Sequence, residues 1–403
     1  MGASRDRSVT GKEGDPANPR ADESGPLGAA APDGSSAEGG SLAFEPWVRL
    51  GAESPGGLAL PSATPGPDTL YAPRGVWFDD DVLVVSDSGN HRILIWHGIP
   101  DRDGAPADVV LGQEGFQDEG PGLLHLPTGL AVIDGRLWVA DAWHHRLLVW
   151  DRVPETHATP PDRVLGQADL GETDPNRGDE AARRDGLYWP YGFGVVAGRF
   201  FVADTGNRRV LGWPEPPLNG EPPTWLIGQD GWTDRGENRG GDVGPTSFRW
   251  PHAIAGDGPL YVADAGNHRV VGWPDTRSAC DGADPELVLG QQDFTSNGEW
   301  PYGPQSASIH RFPYGLALDR GTLAIGDTAN NRVLLHRPVP VRGRGIPASA
   351  VLAQPDFESN GENRWDRVLP DTLCWPYGVH LHGPLLGVAD SGNNRVTLWR
   401  KEA

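Results

Sequence analysis

One pattern recurs six times in this chain at a spacing close to 60 residues. An Asp ends a short apolar run, a small turn follows, and an Arg stands five residues on. The Asp residues are Asp87, Asp141, Asp204, Asp264, Asp327 and Asp390, spaced by 54, 63, 60, 63 and 63. The Arg residues are Arg92, Arg146, Arg209, Arg269, Arg332 and Arg395. A fixed period of this size requires stacked or radial copies of one supersecondary unit, because a single copy cannot bury its apolar face.

The third copy shows the unit most clearly. Trp189-Pro190-Tyr191-Gly192 opens it, and Gly192-Phe193-Gly194-Val195-Val196 predicts a strand running to a turn at Ala197-Gly198. Phe200-Phe201-Val202-Ala203 is a four-residue apolar run of the kind buried on both faces. Arg209-Val210-Leu211-Gly212-Trp213 predicts a third strand, and Thr205-Gly206-Asn207 reads as a hairpin turn with positive φ at its Gly and Asn. The third strands close on Trp96, Trp150, Trp213, Trp273, His336 and Trp399. A fourth element reads Val110-Leu111-Gly112-Gln113 and recurs at Val164, Leu226, Val288 and Val351. Four strands repeated six times predict an all-β, six-bladed β-propeller with four antiparallel strands per blade. The sixth fourth strand is missing after Trp399. Trp47-Val48-Arg49-Leu50 near the start has the required character, so it is expected to complete the last blade and close the ring.

This core, with Val202-Ala203-Asp204-Thr205-Gly206-Asn207 before its Arg, resembles the NHL-repeat family of six-bladed propellers. The added Val-Leu-Gly-Gln element resembles a bacterial long-repeat variety of it. The resemblance spans roughly residues 44–400. It implies a propeller that works either as a binding scaffold or as an enzyme of the lyase or lactone-hydrolase type with a metal at the channel mouth. Some relatives bind RNA.

Charge bears on those alternatives. Asp plus Glu number 55 against 34 Lys plus Arg, a net charge of −21 that repels phosphate. Nucleic acid is therefore not an expected partner. Lys12 and Lys401 are the only lysines, and the Arg, Gly, Pro and Ala bias is that of a GC-rich bacterial genome. Residues 1–43 are Gly, Ala, Ser, Pro and acidic, and are expected to be a disordered tail before the propeller at 44–403. They carry no apolar signal core or span, and Asp6 stands where a myristoylation signal needs Ser or Thr. No membrane association and a cytoplasmic location are expected. Cys280 and Cys374 are expected to be free thiols on opposite faces.

The repeated Asp and Arg read as structural, each Asp accepting backbone N–H bonds in its turn and each Arg pairing with a carboxylate or carbonyl across blades. Departures from the repeat point to function. The residue after each repeat Pro is expected at the upper mouth of the central channel: Arg74, Thr128, Tyr191, His252, Tyr314 and Tyr377. These differ between blades, whereas structural positions repeat. In the second blade Trp143-His144 replaces Gly-Asn in the turn, giving either a lid or a binding wall. His380 and His382 lie two apart on one strand face and, with His252, are the weak metal candidates. No catalytic set, no metal site and no cofactor is read from the chain, and the metalloprotease, nucleophile-elbow and P-loop motifs are absent. The expected function is a non-catalytic binding or scaffold propeller. Its long links, residues 114–126, 168–188, 230–249, 292–311 and 355–374, would share one face with the channel mouth and meet a protein partner there. A small-molecule ligand is the other occupant such a mouth admits.

Overall fold

Among the described residues six sheets, each built on four antiparallel strands, are the blades of one β-propeller. The computed structural model describes residues 42–51, 64–298 and 304–402. The expected disordered tail therefore falls almost wholly on residues 1–41, outside the described residues. The first strands, which line the channel, are Gly75–Phe78, Pro127–Ile133, Pro190–Val196, Pro251–Gly256, Pro313–Asp319 and Pro376–His382. The second strands are the most buried, as their apolar runs require: Phe200 to Ala203 and Leu260 to Ala263 are each at 0% exposure.

The N-terminal strand closes the ring. Phe44–Leu50 pairs antiparallel with Arg395–Lys401, from Phe44 opposite Lys401 to Leu50 opposite Val396. Val48 and Leu50 are buried, the Arg400 guanidinium lies 3.7 Å from the Trp47 ring centre, and the Arg49 amide donates to Asp103 of the next blade at 2.9 Å. One blade exceeds the four-strand plan. Gly343–Arg344, from the link inside the fifth blade, adds a short parallel strand to the outer edge of the fourth.

The repeated ion pair is a clamp for the long links. Asp204 accepts the Tyr188 amide at 2.7 Å on one carboxylate oxygen, and Asn207 Nδ2 and Arg209 Nε on the other. The remaining nitrogens of Arg209 donate to Trp232 O, Arg183 O and Gly186 O, so one guanidinium ties down both the incoming and the outgoing link. The other five blades repeat the buried Arg Nε to Asp Oδ2 pair at Asp87, Asp141, Asp264, Asp327 and Asp390. Burial pushes the Asp87, Asp204 and Asp390 carboxyls up, and the paired Arg and the amide donors pull them down. Every neighbour is a donor, so a carboxyl proton would find no acceptor and the geometry holds the ionised form. The Gln of the fourth element is a second staple. Gln167 Nε2 donates to Asp174 O at 2.8 Å, and Gln229 and Gln354 reach Gly236 O and Gly361 O likewise.

The turn after each Asp differs from the expected hairpin. It is a single 3-10 turn, Thr205–Asn207 in the third blade, and the positive φ falls one residue later, at Arg208 (φ 53°). Gly206 is required for space instead. A Cβ there would stand 2.5 Å from the Tyr188 ring and 2.7 Å from its carbonyl oxygen. Asn207 is retained for its bond to Asp204.

The left-handed position carries a link between blades that sequence reasoning did not assign. His91, His145 and His268 accept, on Nδ1, the amides of Leu126, Trp189 and Phe312 at 3.1 to 3.2 Å. Asn331 and Asn394 do the same with Oδ1 for Trp375 and Ala72. Such a histidine must be unprotonated. Burial lowers His91, and lowers His145 to about 4. Burial also holds His310 and His336 down to about 3, where the fifth blade has two histidines in place of the Leu or Phe and the Trp of other blades. The unfolded chain, near 6.5, thus binds more protons than the native one as pH falls, and stability is complete above 6.5 and lost toward the folded values. We expect the melting temperature to be level from pH 8 to 7 and to drop by roughly 10 °C or more by pH 4.5. His91→Asn, His145→Asn and His268→Asn together, copying the fifth and sixth blades, should flatten part of that slope. A melting temperature unchanged down to pH 5 would refute the assignment.

Cys280, on the short helix Thr276–Cys280 of the lower face, and Cys374, beside the upper-face turn at Gly392, are both free, and burial pushes their thiols up to about 11 and about 12. Among the described residues no helix is long and apolar enough to cross a membrane.

Candidate functional site

The residues after the six repeat prolines come together around the channel. Arg74, Thr128, Tyr191, His252, Tyr314 and Tyr377 all line one cavity of about 110 Å³. Close approach of the first strands makes this ring tight. A Cβ on Gly192 would sit 2.3 Å from the His252 carbonyl oxygen, and one on Gly315 2.3 Å from that of Tyr377. The fourth blade alone has Ala253 at this position.

The ring side chains stack on one another. Tyr191 and His252 have centroids 4.4 Å apart, His252 and Tyr314 4.3 Å, and Tyr314 and Tyr377 4.7 Å at an interplanar angle of 20°. The Arg74 guanidinium continues the series 5.0 Å from the Tyr377 ring centre, a cation–π contact, and returns to the Tyr191 hydroxyl at 3.4 Å. Thr128, the small member, is buried and donates its hydroxyl to Tyr191 O at 2.9 Å.

His252 donates Nδ1–H to Trp250 O at 3.1 Å, which leaves Nε2 as the acceptor. Burial, with the nearby Arg74 cation, lowers His252 to about 3, so the ring is neutral at this position near pH 7. Burial raises Tyr377, against the pull of Arg74. Arg74 is then the one fixed charge in the cavity wall, whose described lining contains no Asp or Glu.

Trp143 and His144 lie outside this cavity. His144 stands where other blades have Asn, and its Nδ1 bonds Asp141 at 3.0 Å, so it serves the clamp. Trp143 occupies the Gly position of the turn. Its ring packs on Trp189 at 5.5 Å and His125 at 5.6 Å, yet stays 41% exposed. His380 and His382 do not converge on the channel mouth either. His380 Nε2 donates to Phe78 O at 2.8 Å and His382 Nε2 meets Asp80 at 3.2 Å, and among the described residues no three His, Cys, Asp or Glu side chains cluster as a metal site.

The stretch Leu124 to Trp150, with its clamp Asp141–Arg146 and the odd Trp143 turn, matches the NHL repeat family over residues 124–150. The chain carries an NHL repeat. The other five blades carry the same Asp–Arg pair at the equivalent positions. No curated protein sequence matches the chain. Similar solved structures include virginiamycin B lyase from Staphylococcus aureus, 11% identical over 83% of this chain and 97% of that one, with a TM-score of 0.44. A protein of unknown function from Bacteroides thetaiotaomicron is 11% identical over 88% of this chain and 74% of that one, with a TM-score of 0.46. A chain of a nidogen/laminin complex is 16% identical over 78% of this chain and 86% of that one, with a TM-score of 0.43.

Proposed function

We propose that this NHL propeller is a non-catalytic binding or scaffold protein that offers its long-link face and channel mouth to a protein partner. The observation behind this reading is where large apolar side chains stay exposed. Of the six so exposed among the described residues, Tyr71, Trp143, Leu170, Trp365 and Trp375 lie on long links or upper-face turns, and only Val195 does not. Trp365 is the most exposed of them, at 79%. Tyr71, Trp143 and Trp375 belong to blades one, two and six, and the first strand of blade one packs against those of both others. Interface energy concentrates in such Trp and Tyr anchors. The channel ring supports the same reading, since it presents stacked aromatics and one cation with no carboxylate base beside them.

The test is quantitative capture of the native partner by immobilised chain. Trp143→Ala with Trp375→Ala should weaken capture by at least about 100-fold, since hot-spot aromatics contribute about 2 kcal/mol or more each. The melting temperature should stay within a few degrees. Pro217→Ala on the lower face should leave capture intact. Capture lost only with lower-face changes would place the interface on the opposite side.

A further inference from the structure

We propose that the channel mouth is a carboxylate-binding site in which Arg74 supplies the charge and the stacked ring supplies the wall. This deepens the binding reading above and rests on it only where the carboxylate is a partner's. Arg74 contrasts with the clamp arginines. Arg92 places its guanidinium on Asp87 and on the carbonyls of Phe116, Gly66 and Thr69. Arg74 has five N–H donors and meets one acceptor, Tyr191 Oη, at the long distance of 3.4 Å. Its Nε is buried with no partner. The described channel lining offers no Asp or Glu to it, in a chain whose net charge is −21. An acidic protein that leaves a half-buried guanidinium unmatched keeps it ready for an incoming anion.

Three features narrow the anion to a carboxylate. A planar guanidinium matches a carboxylate through two parallel N–H···O bonds and neutralises one charge. A phosphate dianion would call for a second cation, and the described lining has no Lys and no other Arg. Neutral His252 adds none near pH 7. The volume of about 110 Å³ and the walls of Tyr191, His252, Tyr314 and Tyr377 favour an acid with a small flat or apolar body. The carboxylate is either that of a free small acid or an acidic side chain or chain terminus projected by the partner.

Calorimetric titration of the full chain at low salt with benzoate, benzamide and inorganic phosphate tests this. Benzoate should bind at least about tenfold more tightly than benzamide, its neutral isostere. Arg74→Gln should abolish that preference and Arg74→Lys should keep part of it. Equal binding of the acid and the amide, no benzoate binding up to about 50 mM, or tighter binding of phosphate than of benzoate would each overturn the proposal. Should Arg74→Gln fail to fold, the benzoate-to-benzamide ratio on the unmodified chain decides alone. A second arm adds benzoate during partner capture. Release of the partner assigns the carboxylate to it. Benzoate binding that needs Arg74 while capture is unaffected keeps the carboxylate site, assigns it to a free acid, and removes the channel mouth from the partner interface.

Discussion

Removing the chain through Gly51 should leave a protein that melts far below one beginning at Leu42, or that does not fold at all. The strand Phe44–Leu50 is the outer strand of the last blade, and without it Arg395–Lys401 becomes an open edge. Val48 and Leu50 are fully buried in the core cluster that also holds Leu398 and Val396. Truncating a large buried side chain costs about 2–5 kcal/mol. Two such losses, with a whole ladder of strand bonds, reach the 5–15 kcal/mol that typically holds a domain together. The same strand joins the last blade to the first through Arg49 and Asp103, so its loss also opens the ring. Leu50→Asp, which keeps the backbone, should lower the melting temperature by a smaller but still large amount. Equal melting of the two truncated lengths would show that the ring closes without this strand.

Arg209→Ala should be nearly as damaging, for a different reason. Asp204 is at 0% exposure and its partner supplies both the compensating charge and a donor. Removing one member of a buried pair costs about 3–5 kcal/mol because the other charge is left stranded. Arg209 also fixes Arg183 O, Gly186 O and Trp232 O, so the links before and after the third blade lose their common anchor. Urea unfolding should show the lower stability, and limited proteolysis should cut within residues 168–188 and 230–249 first. Asp204→Asn with Arg209→Leu should recover part of the loss, since no unpaired charge then remains. Wild-type stability and proteolysis in Arg209→Ala would mean that the pair is incidental to the fold.

The candidate site was legible in its inner ring because a pseudo-symmetric fold separates two kinds of position. Asp204 and Arg209 are the same in every blade, as a structural device must be. The equivalent positions after the repeat Pro vary, with Arg74, Thr128 and His252 in three blades and Tyr in the other three, and all six converge on one cavity. Trp143 and His144 were read together because both break the pattern, yet the structure separates them. His144 replaces an Asn in the clamp, and only Trp143 reaches solvent with a large exposed face.

The sequence by itself determined the repeat number, the four-strand blade and the closing strand. Each of these follows from period, alternation and apolar runs, which are local and repeated six times. Only the tertiary structure decided the rest. The positive φ at Arg208 and the Gln167 bond to Asp174 O are set by loop geometry, and the need for Gly206 and the roles of His91, His145 and His268 by groups that lie far along the chain. The stack from Tyr191 to Arg74 depends on five blades meeting at one axis. The stack leaves no periodic trace, because it is a meeting of unlike residues made once, across blades.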